Sequence, residues 1–420
     1  MRDFLPADKA RREHVLSIIR RTFREHGFDE IETPVVEDSS RLHAGLGGDN
    51  EKLSYAVMKR DLQTPDLQKA AESGDYLDLA DLGLRFDLTV PLARFYASHR
   101  AELPSVFRAI QIAPVWRAER PQKGRYRQFV QCDIDIIGEE GQLAEIELLT
   151  ATAASLEALG FSGTNACTIR INDRRILRKI VATLGIPDVS YERALITIDK
   201  EDKIGVAGVV AELVEHGLGD ASRLTPVLEG LSSLAGDGWE LLDSPPEWLD
   251  TDAYRDLLSI RDAVNDSARL VFSPNLVRGM GYYTGTIFEV AHPALPYSLG
   301  GGGRYDGMIG RFLGTDVPAA GFSLGFERLV ELVEVADSSG GDAIALIHDR
   351  DVPASQLIAL KLRVLENPPG EAPARVRLEV KAKNSRAQLD RLQAEGFRKF
   401  AFVAASTEFA DLDFRVIAAQ

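Results

Sequence analysis

The sequence predicts an α+β protein of several domains, because strand-like tracts, a long helical block and a closing strand–helix alternation occupy separate stretches of chain. Three observations carry this. Between residues 113 and 138 two runs alternate polar and apolar positions, the period of a strand, around a loop at 120–126. Residues 178–268 are mostly helical in pattern and acidic, broken by Asp243-Ser244-Pro245-Pro246. Beyond a linker at 337–342, Asp-Ser-Ser-Gly-Gly-Asp, strand and helix alternate.

Taken in order, residues 8–26 form an amphipathic helix, with Val15, Ile18, Ile19 and Phe23 at helical spacing and Gly27 as a stop. Extended chain follows from Phe28 to Val36, where Pro34 excludes helix. The polar stretch 60–80 lacks periodicity and is expected to be a loop. Strands run from Asp81 to Ile137 with a helix near 90–100, and a helix rich in Ala, Leu and Glu occupies about 140–160. Strands return at 269–290, then glycine-rich chain, then a helix near 326–335. The last part reads as strands at 343–347, 376–380 and 400–404 with helices at 355–366 and 385–395. The expected domains are 1–177 and 269–336, two parts of one body, an inserted helical module at 178–268, and a small α/β domain at 343–420.

Length and composition fit this division, since 420 residues suit roughly two or three domains of about 100–200 residues. A net charge of −15 argues against a protein that coats nucleic acid generally. A local basic surface remains open to it: Arg117, Arg120, Lys123, Arg125 and Arg127 cluster, and residues 343–420 carry 12 Lys/Arg against 10 Asp/Glu, the rest 37 against 54. Cys132 and Cys167 are the only cysteines, so neither a disulfide framework nor a cysteine zinc site is indicated, and the seven histidines show no ligand spacing. No metal site is expected. With no secretory signal and no apolar run of the ~20 residues a bilayer requires, a reducing cytoplasm is the simplest home and no membrane is expected.

The strand pair around 120–126 is where chemistry concentrates. On its second strand Phe129, Gln131, Asp133 and Asp135 share one face, while Val130, Cys132, Ile134 and Ile136 make an apolar one. Arg117 and Glu119 share a face at the end of the first strand. Solvated strand faces favour Thr, Lys and Ser, so carboxylates, Gln and Arg beside an aromatic ring point to a polar pocket. Cation and carboxylate together would bind something both anionic and cationic, such as ATP plus an amino acid.

The stretch Trp116-Arg117-Ala118-Glu119-Arg120-Pro121-Gln122-Lys123-Gly124-Arg125-Tyr126-Arg127-Gln128-Phe129 resembles motif 2 of the histidyl-tRNA synthetases, a class II family. Other segments agree in order: Leu84-Arg85-Phe86-Asp87-Leu88-Thr89-Val90-Pro91, Asn172-Asp173-Arg174-Arg175, Leu276-Val277-Arg278-Gly279-Met280-Gly281-Tyr282-Tyr283-Thr284-Gly285, Gly302-Gly303-Arg304-Tyr305-Asp306, and Gly321-Phe322-Ser323-Leu324-Gly325-Phe326-Glu327-Arg328, which looks like motif 3. The resemblance spans nearly the whole chain. It implies a catalytic domain built on an antiparallel sheet flanked by helices, and an anticodon-binding-like C-terminal domain. It also implies a homodimer, with the first helix and the Pro34 strand at the interface.

Residue by residue, the resemblance implies that Arg117 binds the ATP α-phosphate with Arg278 opposite it, Glu119 and Phe129 hold the adenine, and Arg328 meets the phosphate tail near a helix start. Histidine would lie against Asp87, Thr89, Gln131, Asp135, Tyr282 and Tyr283, with Tyr305 near. Because neighbours in an extended chain point to opposite faces, only one of Tyr282 and Tyr283 is expected to touch ligand. Gly300 to Gly303 lack the Gly-Lys-Ser/Thr of a P-loop and read as close approach of backbone to a ligand.

The implied reaction joins histidine to ATP, with Mg²⁺ on the phosphates and no organic cofactor, and then transfers histidine to tRNA(His). The amino acid is the nucleophile, so catalysis is positioning and charge neutralisation. Gly281 departs from the family, which usually has Asp there. Two rivals remain: the synthetase-like regulatory subunit of ATP phosphoribosyltransferase, which senses histidine, and a paralogue that adenylates an amino acid for another acceptor. The former generally lacks the C-terminal domain and the catalytic arginines present here.

Overall fold

The computed structural model describes residues 1–43, 53–120, 126–234, 237–264, 267–277, 282–333, 343–370 and 375–417. The chain divides into two compact units, Met1–Asp3 with Arg12–Val333, and Phe4–Arg11 with Glu334–Gln420. Among the described residues no helix is long and apolar enough to cross a membrane.

Helix α1 (Pro6–Glu25) buries Val15, Leu16, Ile19 and Phe23 on one stripe. It ends at Gly27, whose φ of 86° lies where a side chain is disfavoured. The Gly27 N–H donates to the Arg24 carbonyl and the Phe28 N–H to that of Phe23, and the Phe23 and Phe28 rings sit 6.5 Å apart across the stop. Strands β1 (Asp29–Glu30) and β2 (Val36–Asp38) flank Pro34, and α2 (Ser39–His43) and β3 (Tyr55–Met58) come next.

The stretch expected to be a loop holds a helix, α3 (Thr64–Ser73). Ala70 is its one buried residue, so no apolar stripe marked it. Its ends hold it instead: Asp66 accepts from the Gln63 N–H at 2.9 Å, and Gly74, at φ 71°, donates to the Ala70 carbonyl.

The remaining elements of this unit are β4 (Ala80–Leu84), α4 (Thr89–His99), β5 (Phe107–Trp116), β6 (Gln128–Ile137), α5 (Leu143–Ala158), β7 (Thr168–Asp173), α6 (Arg174–Thr183), α7 (Tyr191–Ile198), α8 (Glu201–Glu215), α9 (Ala221–Ser232), α10 (Thr251–Val264), β8 (Leu270–Phe272), β9 (Thr286–Ala291), β10 (Gly300–Arg304), α11 (Asp306–Leu313), β11 (Ala319–Gly325) and α12 (Phe326–Leu332). The main sheet has the order β1-β5-β6-β11-β10-β9-β7-β8, antiparallel from β5 through β7 and parallel at its two outer pairs. A smaller antiparallel sheet has the order β2-β4-β3.

On β6 the apolar positions Cys132, Ile134 and Ile136 are fully buried, with α5 packed against β6 and β11. The opposite face is buried too, although it is polar. Next to it α4 and α11 close a core that includes Phe86, Val90, Tyr96, Met308 and Ile309. The glycine run 300–303 is strand β10, clamped between β9 and β11. A Cβ on Gly302 would overlap the Gly321 carbonyl oxygen, and one on Gly303 would lie 2.5 Å from the Thr286 oxygen. The close approach is therefore first to neighbouring backbone.

In the second unit β12 (Ala343–His348) lies between β13 (Arg375–Val380) and β14 (Lys399–Val403), all parallel, with β15 (Arg415–Val416) antiparallel at the edge. The run Ala-Ile-Ala-Leu-Ile of β12 is buried on both faces, as a central parallel strand must be. Ile344 and Leu346 pack with Leu357, Leu360 and Val364 of α13 (Ala354–Glu366). Ala345 and Ile347 face the other way, towards Leu392 of α14 (Ser385–Ala394).

Candidate active site

The polar face of β6 floors a cavity of about 300 Å³. Arg117, Glu119, Phe129, Arg328, Asp87, Thr89, Gln131, Asp135, Tyr282, Tyr283 and Tyr305 all line it. Arg278 lies outside the described residues, as does Gly281.

Arg117 follows the last residue of β5. Its N–H donates to the Arg127 carbonyl and its Nε to the Phe86 carbonyl, each at 2.9 Å. These bonds hold the guanidinium carbon 5.0 Å from the centre of the Phe129 ring. Arg328, in the first turn of α12, donates to the Ser298 carbonyl and lies 4.7 Å from the Tyr297 ring centre. An arginine at each place supplies positive charge beside an aromatic wall.

Opposed to them is a cluster of buried carboxyls. Asp87 stands just before α4 and accepts from the Val90 N–H at 3.2 Å through Oδ1, while its buried Oδ2 has no hydrogen-bond partner among the described residues. Burial raises its pKa, against the backbone N–H groups and Arg117. Asp133 is pushed up to about 7 by burial, although Ser323 and Gln131 hydrogen-bond to it. Asp135 is raised well above the usual carboxylate range by burial and by Asp133, against a 2.5 Å hydrogen bond that Tyr305 donates to it. Gln131 gives its amide N–H groups to Asp133 and Ser323, which leaves its carbonyl oxygen on the Arg117 side.

Tyr282 and Tyr283 both reach the cavity wall, with ring centres 4.7 Å apart. Strand alternation predicts that only one of them touches ligand; both side chains reach the cavity because neither residue lies in a strand. Gly300 and Gly302 line the cavity as well as pressing on β11, so the backbone is also presented to the cavity.

Ser323, Gly321, Tyr126 and Glu327 are lining residues to which the sequence alone assigned no role. Asp133 was legible on the polar face of β6, but its partner was not. The β6–β11 register sets Ser323 opposite Asp133 and Gly321 opposite Asp135, and pairing between strands so distant in sequence leaves no local signal.

A pocket that holds both buried carboxyls and arginines beside aromatic rings suits a ligand pair that carries both charges. Fold and site together define a class II synthetase domain. Residues 1–329 match the family model described as histidyl-tRNA synthetase. The chain is 59% identical over 424 aligned residues to the histidine–tRNA ligase of Leifsonia xyli subsp. xyli, covering 99% of this chain and 96% of that one. It is 41% identical over 418 residues to the probable histidine–tRNA ligase of Tropheryma whipplei strain Twist, covering 96% and 94%. The chain belongs to the histidyl-tRNA synthetase family. Its fold is similar to that of histidyl-tRNA synthetase from Nostoc sp. PCC 7120, with a TM-score of 0.76 at 24% identity over 99% of this chain and 93% of that one. A structure described as an ATP phosphoribosyltransferase regulatory subunit/histidyl-tRNA synthetase from Bacillus halodurans C shares the fold too, with a TM-score of 0.73 at 20% identity over 97% of each chain.

Proposed function

We infer that this chain activates histidine with ATP and transfers the histidyl group to tRNA. The observation that carries the reading is family membership along almost the full chain, at 59% identity to a histidine–tRNA ligase. In the first step a carboxylate oxygen of histidine bonds to the α-phosphorus of ATP. The bond from that phosphorus to the bridging oxygen breaks, and pyrophosphate leaves. In the second the tRNA 3′-terminal hydroxyl takes the histidyl group and AMP is released.

The residue roles are part of the proposal. The unpartnered Asp87 Oδ2 is an acceptor suited to the α-ammonium of histidine, beside Thr89 and the oriented Gln131 carbonyl. Asp135, already hydrogen-bonded by Tyr305, offers the imidazole an acceptor, with Tyr282 and Tyr283 as the wall. A buried polar set of this kind rejects amino acids that would leave it unpaired. Arg117 neutralises the α-phosphate, with Arg278 on the opposite side. Glu119 and Phe129 hold the adenine, and Arg328 the phosphate tail. ATP is used as its Mg²⁺ complex.

Three further readings belong with it. The chain works as a homodimer joined through the first helix and the Pro34 strand. Supporting this, Val36 and Leu82 lie on one face of the β2-β4-β3 sheet and are 38% and 39% exposed. Residues 1–177 and 269–336 form the catalytic domain, 178–268 an insertion, and 343–420 a domain that reads the anticodon of tRNA(His). The setting is the cytoplasm, which suits the unpaired Cys132 and Cys167.

The deciding experiment is exchange of labelled pyrophosphate into ATP, run with each standard amino acid. Exchange with histidine alone is expected. No exchange with any amino acid, from protein shown to be folded and dimeric, would sink the reading in favour of a histidine-sensing role. Arg278→Ala should abolish exchange and leave the protein folded, and normal exchange by that variant would remove Arg278 from the mechanism.

A further inference from the structure

Glu327, the residue before Arg328, joins three separate segments. Arg12 of α1 grips its carboxylate with two hydrogen bonds, of 2.5 and 2.7 Å, and both side chains are under a tenth exposed. The Val130 N–H of β6 donates to it at 3.3 Å. Arg2, from the very start of the chain, donates to it at 2.6 Å. The same Arg2 guanidinium lies 4.0 Å from the ring centre of Tyr126, which leads into β6. Tyr126 in turn donates through its hydroxyl to Glu331, one turn further along α12, at 2.9 Å. Tyr126, Glu327 and Arg328 all line the cavity.

We propose that Arg2 is a positioning residue for ATP, clasping Tyr126, just before β6, against the helix that carries Arg328. This rests on the reading that Arg328 and Phe129 mark the ATP end of the cavity. A planar guanidinium can stack on a ring and donate in its own plane at once, so Arg2 fixes Tyr126 and Glu327 relative to each other. Tyr126 and Glu331 close the loop of contacts, so α12 is held at two points one turn apart. Without Arg2, Glu327 keeps Arg12, and α12 keeps its place on the body of the fold. What is lost is one of the two ties between Tyr126 and the helix, leaving the Tyr126–Glu331 hydrogen bond alone to hold them together on the side where adenine and phosphates would lie. The histidine end, around Asp87 and Asp135, has no part in this set of contacts.

Arg2 is the informative residue to change, because its side chain is 37% exposed, whereas Arg12 is buried. In pyrophosphate exchange, Arg2→Ala should raise the KM for ATP by roughly five- to tenfold, the scale of one partly exposed ion pair with one cation–π contact. The KM for histidine should stay at the wild-type value, and the thermal midpoint should fall by no more than about a few degrees. Arg2→Lys, which keeps the charge and loses the planar stack, should fall between. In a Tyr126→Leu background the Arg2→Ala effect should shrink, since the two residues act through one contact. A KM for ATP within twofold of wild type in Arg2→Ala overturns the proposal. So does an equal rise in both KM values, which would make Arg2 merely structural. If wild-type protein shows no exchange at all, the activation reading is what fails, and the ratio of ATP affinities of wild type and Arg2→Ala by calorimetry then decides the role of Arg2.

Discussion

Gly321 stands opposite Asp135 in the β6–β11 register, and a Cβ on it would overlap Asp135 Oδ1 and come within 3.1 Å of the Tyr305 ring. The absence of a side chain at 321 is thus what lets Tyr305 close on Asp135 at 2.5 Å. Gly321→Ala should force the carboxyl aside. Overpacking of this kind costs about 1–3 kcal/mol, which corresponds to roughly five- to 150-fold in affinity. The KM for histidine should rise by that factor while that for ATP changes little, as read by pyrophosphate exchange at varied histidine. An unchanged histidine KM would remove the Asp135–Tyr305 pair from recognition.

Arg117 is held by geometry that a lysine cannot copy. Its Nε is spent on the Phe86 carbonyl at 2.9 Å, which leaves the rest of the guanidinium to face Phe129 and the cavity. An ammonium has one centre of charge and can satisfy the carbonyl or the ligand. Arg117→Lys should therefore lower kcat for exchange by about a hundredfold or more, the usual cost of losing a placed donor at a developing charge. Circular dichroism and the thermal midpoint should be near wild type. Activity within tenfold of wild type would assign the α-phosphate to another group.

Much of this was legible because it is local. The apolar stripe of α1, the alternation of β6 and the strand–helix order of the last domain each follow from side-chain period within one element. Gln131, Asp133 and Asp135 were placed on one face by period alone. The helix α3 was not legible, because it buries only Ala70 and is held by end caps rather than by a stripe. Tyr282 and Tyr283 both reach the cavity because neither lies in a strand, which side-chain period cannot show. The roles of Gly321, Ser323 and Arg2 depend on which distant segment lies opposite, and register between strands nearly 200 residues apart is a property of the packed sheet.

The pH dependence of stability follows from Asp133. Burial pushes its carboxyl up to about 7 in the fold, whereas an unfolded chain titrates its aspartates near 3.9. Between those values the folded protein holds a proton that the unfolded chain has released. The stability this lends is fully present below about pH 4 and is lost as pH rises through 7, by a few kcal/mol at most. Asp133→Asn carries no such titration. Without ligand, the urea midpoint of wild type relative to that of Asp133→Asn should fall between pH 5 and pH 8. A gap that stays constant over that range would mean that Asp133 is charged in the fold throughout.

The turn that presents Tyr305 is anchored from behind by Arg304. Its guanidinium makes two hydrogen bonds to Glu145 of α5, at 2.7 and 2.6 Å, and others to Asp306 at 3.2 Å and to the carbonyls of Glu139 and Gly141. Glu145 is 2% exposed, so it has no recourse to water if the arginine is removed. Breaking such a pair from one side costs about 3–5 kcal/mol, mostly as the penalty of a stranded buried charge. Arg304→Ala should lower the denaturant midpoint by that order. The double variant Arg304→Ala with Glu145→Ala should be less destabilised than the sum of the two single ones, because neither charge is then left alone. Strict additivity would mean that the two residues stabilise the fold separately, and that Arg304 holds the Tyr305 turn through Asp306 and the backbone carbonyls alone.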